Sequence, residues 1–481
     1  MVGQLREKHY EQWREFEAQA EQAVHFVGKL YRDHGIITTL YNRPLVGRTP
    51  MQLLQEHKYV AAVEGNDFNI NRTFPLLQAM VDMPLTPARI DLAKLAGKVS
   101  TSNADIEAVL STELASALKG DPKMLDRPQD VVLYGFGRIG RLVARLLMER
   151  AGNGEGLRLK AIVVRKGKGD DLSKRASLLM RDSVHGAFNG TIEIDRETNS
   201  IIANGHMIQV IYASSPDQVD YTKYGIENAL ICDNTGVWRD EEGLGLHLQA
   251  TGSSKVLLTA PGKGEIPNVV FGVNEEAIEA DRNIVSAASC TTNAITPILK
   301  TMDDKYGIEN GHIETVHAYT NDQNLIDNYH SKNRRGRGAP LNMVLTETGA
   351  AKAVAKALPE LKGKLTANAI RVPTPNVSMA IMKLNLKEEV TTEQVNDHLK
   401  WAAIHSPLHR QIGHTASNEV ASSDLVGSRH AGVLDSKATI AQGKSCVLYV
   451  WYDNEFGYTV QVLRCMQKMA GINMPLLPKH S

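Results

Sequence analysis

The run Asp130-Val-Val-Leu-Tyr134, followed at once by Gly135-Phe-Gly137-Arg-Ile-Gly140, constrains this chain more than any other stretch. The glycines sit between an apolar strand and an amphipathic helix through Leu142, Val143, Leu146 and Leu147. Gly135 permits a tight turn, Gly137 lets a pyrophosphate approach the backbone, and Gly140 lets the helix pack close on the strand. The triplet alone is a weak signal, because glycine-rich turns are common. Its strand-turn-helix setting predicts a doubly wound α/β domain that holds a dinucleotide.

The next strand, Leu157–Val164, bears on which dinucleotide. An NAD-binding unit places Asp or Glu near the end of that strand to accept bonds from the ribose hydroxyls. Here the strand runs out into Arg165-Lys166-Gly167-Lys168, cations that suit the 2′-phosphate of NADP. The run also reads as a solvated basic loop, and Asp170-Asp171 supplies the missing carboxylate if the loop folds back. From about Ser183 to Val273, β-rich runs alternate with turns and complete the sheet. Asn234-Thr-Gly236 and Thr259-Ala-Pro261 follow two of them, where an open α/β sheet binds ligand, although either also serves as an ordinary polar turn.

The chemistry concentrates in Val285-Ser-Ala-Ala-Ser-Cys290-Thr-Thr-Asn-Ala-Ile-Thr-Pro297, a strand-like run that turns at Cys290 into a helix. A thiol there sits among unpaired N–H groups at the positive end of a helix dipole, which predicts a lowered pKa. A buried structural cysteine on a well-capped helix is the alternative. Downstream, Glu314-Thr-Val-His317-Ala-Tyr-Thr320 reads as a strand with His317 on the face opposite Val316 and Ala318. A strand histidine is usually structural, but with Cys290 it completes the minimum set for an activated thiol. Lys332-Asn-Arg-Arg335-Gly-Arg337 is a basic patch that reads as an anion site or a solvated loop. Thr346-Glu-Thr348-Gly349 opens a helix with hydroxyl and N–H donors, and Arg371 stands among apolar residues, where a guanidinium needs an anionic partner.

Composition sets the surroundings. The 481 residues are 42% hydrophobic and carry 54 basic and 54 acidic side chains, so no global field argues for nucleic acid or membrane. Four cysteines in so long a chain form neither a disulfide framework nor metal-ligand spacing, which points to free thiols in a reducing cytoplasm and no metal. The N-terminus lacks an apolar signal region, and no apolar run is long enough to span a bilayer.

The first 128 residues read as helical. Trp13, Phe16, Ala20, Ala23, Val27 and Leu30 form a heptad stripe that ends near Gly35. Thr49-Pro50-Met-Gln52 predicts an N-cap, a proline at the first helical position and a capping box for a helix to about Val63. Thr86-Pro87 repeats that start signal before Ile90–Leu95, with Gly97 as the stop. A further helix is expected from about Ile106 to Leu118, ending at Gly120-Asp-Pro122, and Gly120 to Pro128 reads as a linker.

Gly135–Gly140, Ser289-Cys-Thr-Thr-Asn293, Val316–Gln323, Thr348-Gly-Ala-Ala-Lys-Ala353, Arg371-Val-Pro-Thr374 and Trp451-Tyr-Asp-Asn-Glu455 occur in that order. From about Gln129 onward the chain resembles the phosphorylating glyceraldehyde-3-phosphate dehydrogenase family. The resemblance implies a Rossmann-type doubly wound dinucleotide-binding domain over 129–289, completed by 453–481, and an α+β catalytic domain over 290–452. A mainly helical extension of unassigned role, 1–128, precedes them. It implies a Cys290 thioester with His317 as base, a phosphorylated aldehyde and inorganic phosphate as reactants, and a tetramer. Ser289, Thr291, Thr320, Arg335, Thr348, Gly349 and Arg371 resemble the family's two anion sites, and Arg138, Ile139, Thr259 and Asn454 its cofactor contacts.

Three departures concern the cofactor. NAD-specific members have an acidic residue where Arg165-Lys166 stand, usually an arginine at the position of Ser214, and a Leu-Pro pair where Asn328-Tyr329 align. Together they favour NADP, with NAD tolerated and a biosynthetic direction opened. An erythrose-4-phosphate dehydrogenase, and a regulatory or binding protein on the same scaffold, remain as alternatives.

Overall fold

The computed structural model describes residues 2–102, 105–120, 125–149, 156–278 and 282–479. They fall into two compact units: Met1–Pro128 with Glu149–Gly156 and Gly471–Ser481, and Gln129–Met148 with Leu157–Ala470.

In the first unit, helix α1 (Val2–His34) buries Ala20, Ala23, Val27, Leu30 and Tyr31, while Trp13 at the head of the expected stripe is exposed. Strands β1 (Ile37–Leu40) and β2 (Arg43–Pro44) form a short hairpin, and helix α2 (Pro50–Glu64) follows. Its start is the predicted capping box: Thr49 Oγ1 accepts from the Gln52 N–H at 3.3 Å, and Gln52 Oε1 accepts from the Thr49 N–H at 3.0 Å. Gly65, left-handed at φ 69°, ends the helix. Helix α3 (Phe74–Met80), strand β3 (Arg89–Asp91) and helices α4 (Leu92–Ser102), α5 (Ile106–Glu113) and α6 (Ala115–Leu118) complete this run.

The second Thr-Pro pair does not start a helix. Thr86 Oγ1 donates to the Ala117 carbonyl at 2.6 Å, and residues 89–91 are a strand. The cap of α4 is Asp91, whose Oδ1 accepts from the N–H groups of Ala93 (3.1 Å) and Lys94 (3.3 Å). Gly97 lies inside α4 and stops nothing. The expected helix to Leu118 is broken at Leu114, and its Asp121-Pro122 end, with 121–124 of the expected linker, lies outside the described residues.

The unit is thus helical around a small sheet that the sequence reading did not anticipate. Its order is Leu476–Leu477, β3, β1, β2, so the fourth strand comes from the far end of the chain and pairs parallel to β3. The expectation that 453–481 as a whole completes the dinucleotide domain therefore fails from Gly471 onward. Leu477 is buried in the same core as Ile37, Leu53, Leu77 and Ile90, and that burial draws the tail into the first unit.

The second unit contains two sheets. The first runs through β4 (Gln129–Tyr134), β5 (Leu157–Val164), β6 (Ile192–Asp195), β7 (Ser200–Ala203), β8 (His206–Tyr212), β9 (Ala229–Asp233), β10 (Ser253–Leu258) and β11 (Ile284–Ser286). Its order is β11-β10-β9-β4-β5-β8-β7-β6, parallel from β11 to β8, with β7 and β6 as an antiparallel edge. The chain winds outward from β4 in one direction and returns to β9 on its other side. That switch point is where such sheets bind ligands. Helix α7 (Arg138–Met148) follows β4, and α8 (Asp171–Met180) and α9 (Glu241–Gln249) lie further along.

Helix α10 (Cys290–Tyr306) leads into the second sheet, built from β12 (Ile308–Ala318), β13 (Val344–Thr346), β14 (Leu365–Val372), β15 (Ser378–Thr391), β16 (Ile412–Thr415), β17 (Gly432–Asp435) and β18 (Ile440–Tyr452). The order is β13-β14-β12-β15-β18-β17-β16, and α11 (Ala350–Ala357) and α12 (Thr392–His405) belong to the same region. Ile295, Ile298, Leu299 and Met302 of α10 share one core with Met382, Leu384, Leu448 and Val450 of the sheet, which fixes the helix whose first residue is Cys290. Helix α13 (Phe456–Met469) is buried over most of its length and packs against α7.

Candidate active site

The corner before Cys290 is held from several sides. Ser289 is the N-cap of α10, its Oγ accepting from the Thr292 N–H at 3.1 Å. Asn293 folds back and donates through Nδ2 to the carbonyls of Ala287 (2.8 Å) and Ser289 (3.0 Å). Ala288 sits at φ 55°, a conformation that costs an L-residue roughly 1–2 kcal/mol, and the Tyr458 hydroxyl donates to its carbonyl at 3.0 Å. These bonds aim residue 290 out of the strand and into the site.

His317 approaches from β12. Its Nε2 is 3.5 Å from Cys290 Sγ, and its ring meets Tyr452 edge-on at 5.9 Å. Parallel pairing sets His317 opposite Arg371 of β14. Arg371 Nη1 donates to the Ala318 carbonyl at 3.0 Å and lies 2.9 Å from His317 Nδ1, which is itself 2.7 Å from that carbonyl. A guanidinium only donates. His317 Nδ1 therefore either carries the proton and bonds Ala318, leaving Nε2 free to take the thiol proton, or accepts from Arg371 and leaves Nε2–H to donate to a thiolate. The first tautomer is the one a base for Cys290 needs, and the proton it takes at Nε2 makes it the imidazolium that can later return it.

The expected lowering of the thiol pKa is not what the structure shows. Cys290 is half-buried, and removing its sulfur from water pushes the thiol above its ordinary value. The Arg371 guanidinium and hydrogen bonds at Thr291 pull the other way without reversing it. A helix terminus is worth only about 0.3–1 kcal/mol at ordinary exposure, less than that burial. Burial, reinforced by Arg371, also lowers His317 to about 3. Each group alone resists ionising. A proton passed from Sγ to Nε2 creates both charges together, and their attraction, about 4 kcal/mol at that range, offsets part of the cost.

The remaining sequence-marked polar residues fall into three places. Ser289 and Thr291 flank the thiol, Ser289 serving as cap and Thr291 Oγ1 sharing a hydrogen bond with the Tyr452 hydroxyl at 3.0 Å. Arg335 is buried, bonds Thr346 Oγ1 at 3.0 Å and pairs with Asp322, and it lies close enough to depress His317 further. Thr320 Oγ1 accepts from the Asp322 N–H at 3.4 Å, in the same loop. Thr348 Oγ1 accepts from the Ala350 N–H at 3.2 Å at the start of α11, where Gly349 is the N-cap. Buried Arg371 Nε has no hydrogen-bond partner among the described residues, a donor that an anion would satisfy.

Each glycine of the cofactor turn has a distinct constraint. Gly135 takes φ 91°, and a Cβ there would come within 2.9 Å of Thr235 Cγ2. A Cβ on Gly140 would collide with the Gly135 carbonyl oxygen, whereas one on Gly137 meets nothing within 4 Å. The turn is closed toward the protein and open at Gly137, as a pyrophosphate cradle requires. The Arg138 side chain is engaged elsewhere, with Glu455 (2.8 Å), Asp182 and His185 (3.0 Å), so only its backbone is free to face a cofactor. Ile139 lies beside it, half-buried in α7. Thr259 Oγ1 bonds the Asp233 carbonyl (3.0 Å) and Asn234 Oδ1 (3.1 Å).

Residues 129–241 match the model described as glyceraldehyde 3-phosphate dehydrogenase, NAD binding domain, and residues 289–454 that of its C-terminal domain. A glyceraldehyde-3-phosphate dehydrogenase-like protein of Pseudomonas aeruginosa (strain UCBPP-PA14) is 55% identical over 460 residues, 95% of this chain and 100% of the relative. The chain belongs to the glyceraldehyde-3-phosphate dehydrogenase family. The glyceraldehyde-3-phosphate dehydrogenases of Zymomonas mobilis (39% identical) and Bacillus subtilis (39%, glyceraldehyde-3-phosphate dehydrogenase 1) cover 71% and 69% of this chain and 98% and 96% of their own lengths. Both family models begin at or after residue 129, so the first 128 residues stand outside them. The Pseudomonas relative nonetheless matches over almost the whole chain.

Within this glyceraldehyde-3-phosphate dehydrogenase scaffold, sequence reasoning missed Tyr452 and Ser378. Ser378 is buried, its Oγ accepting from the Ala318 N–H at 3.1 Å and donating to Asn454 Oδ1 at 2.9 Å. One hydroxyl thus joins the strand of His317 to Asn454, a cofactor contact by resemblance. Val377 before it takes φ 62°, costly for a β-branched residue and visible only in the structure. Tyr452 lay inside a quoted motif, but its distance from Thr291 in sequence hid the contact.

Proposed function

We propose that this chain catalyses the reversible oxidative phosphorylation of glyceraldehyde 3-phosphate to 1,3-bisphosphoglycerate, with NADP preferred over NAD. The observation that carries the reading is the Cys290 Sγ to His317 Nε2 approach of 3.5 Å with Arg371 on the same imidazole. Cys290 passes its proton to His317 and attacks the aldehyde carbon. His317 returns that proton to the aldehyde oxygen to give the hemithioacetal, then takes it back as a hydride leaves the same carbon, so that a Cys290 thioester remains. A bound dinucleotide would supply the hydride acceptor, with Gly135–Gly140 to hold its pyrophosphate and Thr259 and Asn454 as further contacts. Inorganic phosphate cleaves the thioester and frees the thiol. Arg371, Arg335, Thr320, Thr348, Gly349, Ser289 and Thr291 orient the two phosphate groups, because two anionic reactants need fixed donors.

The NADP preference rests on Arg165 and Lys166. Both Asp170 and Asp171 are engaged: Asp170 caps α8 and binds Arg196 at 2.9 Å, and Asp171 binds Arg175 at 2.7 Å. Lys166 stays exposed, its Nζ 5.6 Å from the Tyr212 ring centre. NADP favours the reductive direction, from 1,3-bisphosphoglycerate to the aldehyde. A tetramer is supported by the exposed apolar side chains Leu325, Ile326, Tyr329, Leu341 and Met343 in one stretch. No described helix is long and apolar enough to cross a membrane, and all four cysteines are free, which supports the cytoplasm.

Steady-state kinetics with glyceraldehyde 3-phosphate and erythrose 4-phosphate, each with NADP and NAD and with and without phosphate, test the reading. Phosphate-dependent turnover of the triose, with kcat/KM higher for NADP, is expected. Phosphate-independent turnover of the tetrose would replace it with the sister activity. A preference for NAD, or an NADP preference that survives Arg165→Ala with Lys166→Ala, would remove the cofactor assignment.

A further inference from the structure

Strand β9 ends at Asp233, whose side chain is fully buried at the switch point of the first sheet. Its carboxylate is held from two directions. Oδ1 accepts from the Thr235 N–H and from Thr235 Oγ1, both at 2.7 Å, and Oδ2 lies 2.9 Å from Nε2 of His247 on α9. Thr235 Oγ1 in turn accepts from the Val237 N–H at 3.1 Å, and Gly236 between them takes φ 64°. A buried carboxylate thus sets the backbone of a turn whose residues Thr235, Gly236 and Val237 are exposed.

That turn stands against the glycine turn. The Asn234 N–H donates to the Tyr134 carbonyl at 2.8 Å, and the Thr235 methyl is the group that leaves no room for a side chain at Gly135. Both turns lie at strand C-terminal ends, where a doubly wound sheet holds a dinucleotide. His247 sits beneath the pair. Its ring meets Tyr134 edge-on at 4.8 Å and Trp238 at 5.9 Å, the residues that precede one turn and follow the other.

Stability alone gives no reason for a histidine here. His247 and Asp233 are both wholly buried, and His247 Nδ1 has no hydrogen-bond partner among the described residues. An apolar side chain would pack α9 on the sheet without an unpaired ring nitrogen, and apolar replacement of a whole buried pair is often neutral or stabilising. What an apolar side chain cannot do is donate to Asp233 Oδ2. A carboxylate left unheld at that oxygen is free to turn away from Thr235.

We propose that His247 is a positioning residue for the cofactor, fixing Asp233 so that the turn 234–237 is shaped for the dinucleotide, a role that rests on the dinucleotide-binding reading and holds for NAD and NADP alike. His247 itself touches neither cofactor nor substrate.

Titration calorimetry of the full-length protein with NAD and with NADP, beside steady-state kinetics, tests it. His247→Leu should weaken binding by about tenfold and raise the cofactor KM to match, while kcat at saturating cofactor stays within about twofold. His247→Gln should recover most of the affinity, because its amide nitrogen stands as many bonds from the backbone as His247 Nε2. If His247→Leu does not fold, His247→Asn, whose amide stops one bond short, takes its place. Thr235→Val should also weaken binding, and since His247 acts through that hydroxyl the double variant should bind no worse than the weaker single. Unchanged affinity at His247→Leu, His247→Gln as weak as His247→Leu, or additive losses with Thr235→Val would each overturn the proposal. Failure of both His247→Leu and His247→Asn to fold would make the histidine a stability element and overturn it too. An unaltered protein that binds neither dinucleotide would remove the binding reading as well, whereas binding that no variant disturbs removes the proposal alone.

Discussion

The polar cluster around His57 and Asp91 in the first unit and the thiol site of the second hold buried groups under different terms. In the first of these places the groups close on one another, although Thr38 Oγ1 and Gln19 Oε1 elsewhere in that unit find no partner among the described residues. His57 stands between the Leu53 carbonyl (2.8 Å) and Thr73 Oγ1 (2.7 Å), Asp91 accepts four hydrogen bonds, and Glu56 binds both Arg43 and Arg48. At the thiol of the second unit they are left open. Arg371 Nε lacks a partner among the described residues, His317 has two competing neighbours at Nδ1, and both Cys290 and His317 are shifted against ionisation. A set of groups that satisfies itself stabilises a fold. A set left incomplete waits for a ligand, and the difference separates scaffold from site.

Mutations at the open site should change rate, and mutations at the closed one should change stability. The largest effect is expected for Cys290→Ser, which should fold and bind cofactor while kcat falls by about 10³-fold or more. Substantial remaining turnover would remove the thiol from the chemistry. His317→Gln should lower kcat by roughly 10²–10⁴-fold with a smaller change in KM, and steady-state kinetics across pH would show whether the imidazole limb disappears.

In the first unit the expected currency is stability. Leu53→Ala, deep in its core, should destabilise that unit by about 2–5 kcal/mol in chemical unfolding while kcat of the folded protein stays unchanged. Acid should weaken both units together. His57 is lowered to about 4 and His317 to about 3, so below the ordinary histidine range near ~6.5 the unfolded chain takes up protons that the folded chain refuses. Stability is therefore full above that range and falls as pH drops toward 4. A melting temperature that holds or rises between pH 6.5 and 4 would contradict the burial of these neutral rings. The smallest effect is expected at the cap: Thr49→Ala should cost about 1 kcal/mol in thermal unfolding of the first unit, and Gly at that position only a fraction of it.

The two Thr-Pro pairs show what could be read in advance. Thr49 caps a helix because the Gln three residues on completes a local box, and nothing distant competes. Thr86 has no such partner, and its hydroxyl goes to the carbonyl of Ala117, thirty-one residues away. The same division runs through the site. The glycine turn and the Ser289 cap depend on neighbours within a few residues, and the ordered motifs from Gly135 to Glu455 marked the family before any fold was seen.

Other features required distant strands to meet. His317 faces Arg371 only through the pairing of β12 with β14, and Ser378 finds Asn454 only across the sheet end. The tail at Leu476–Leu477 becomes a strand because β3 offers it an edge. The direction of the Cys290 shift is of the same kind. The helix start that favours a thiolate is written in the local sequence, whereas the burial that opposes it comes from side chains far apart in the chain, and burial is the larger force.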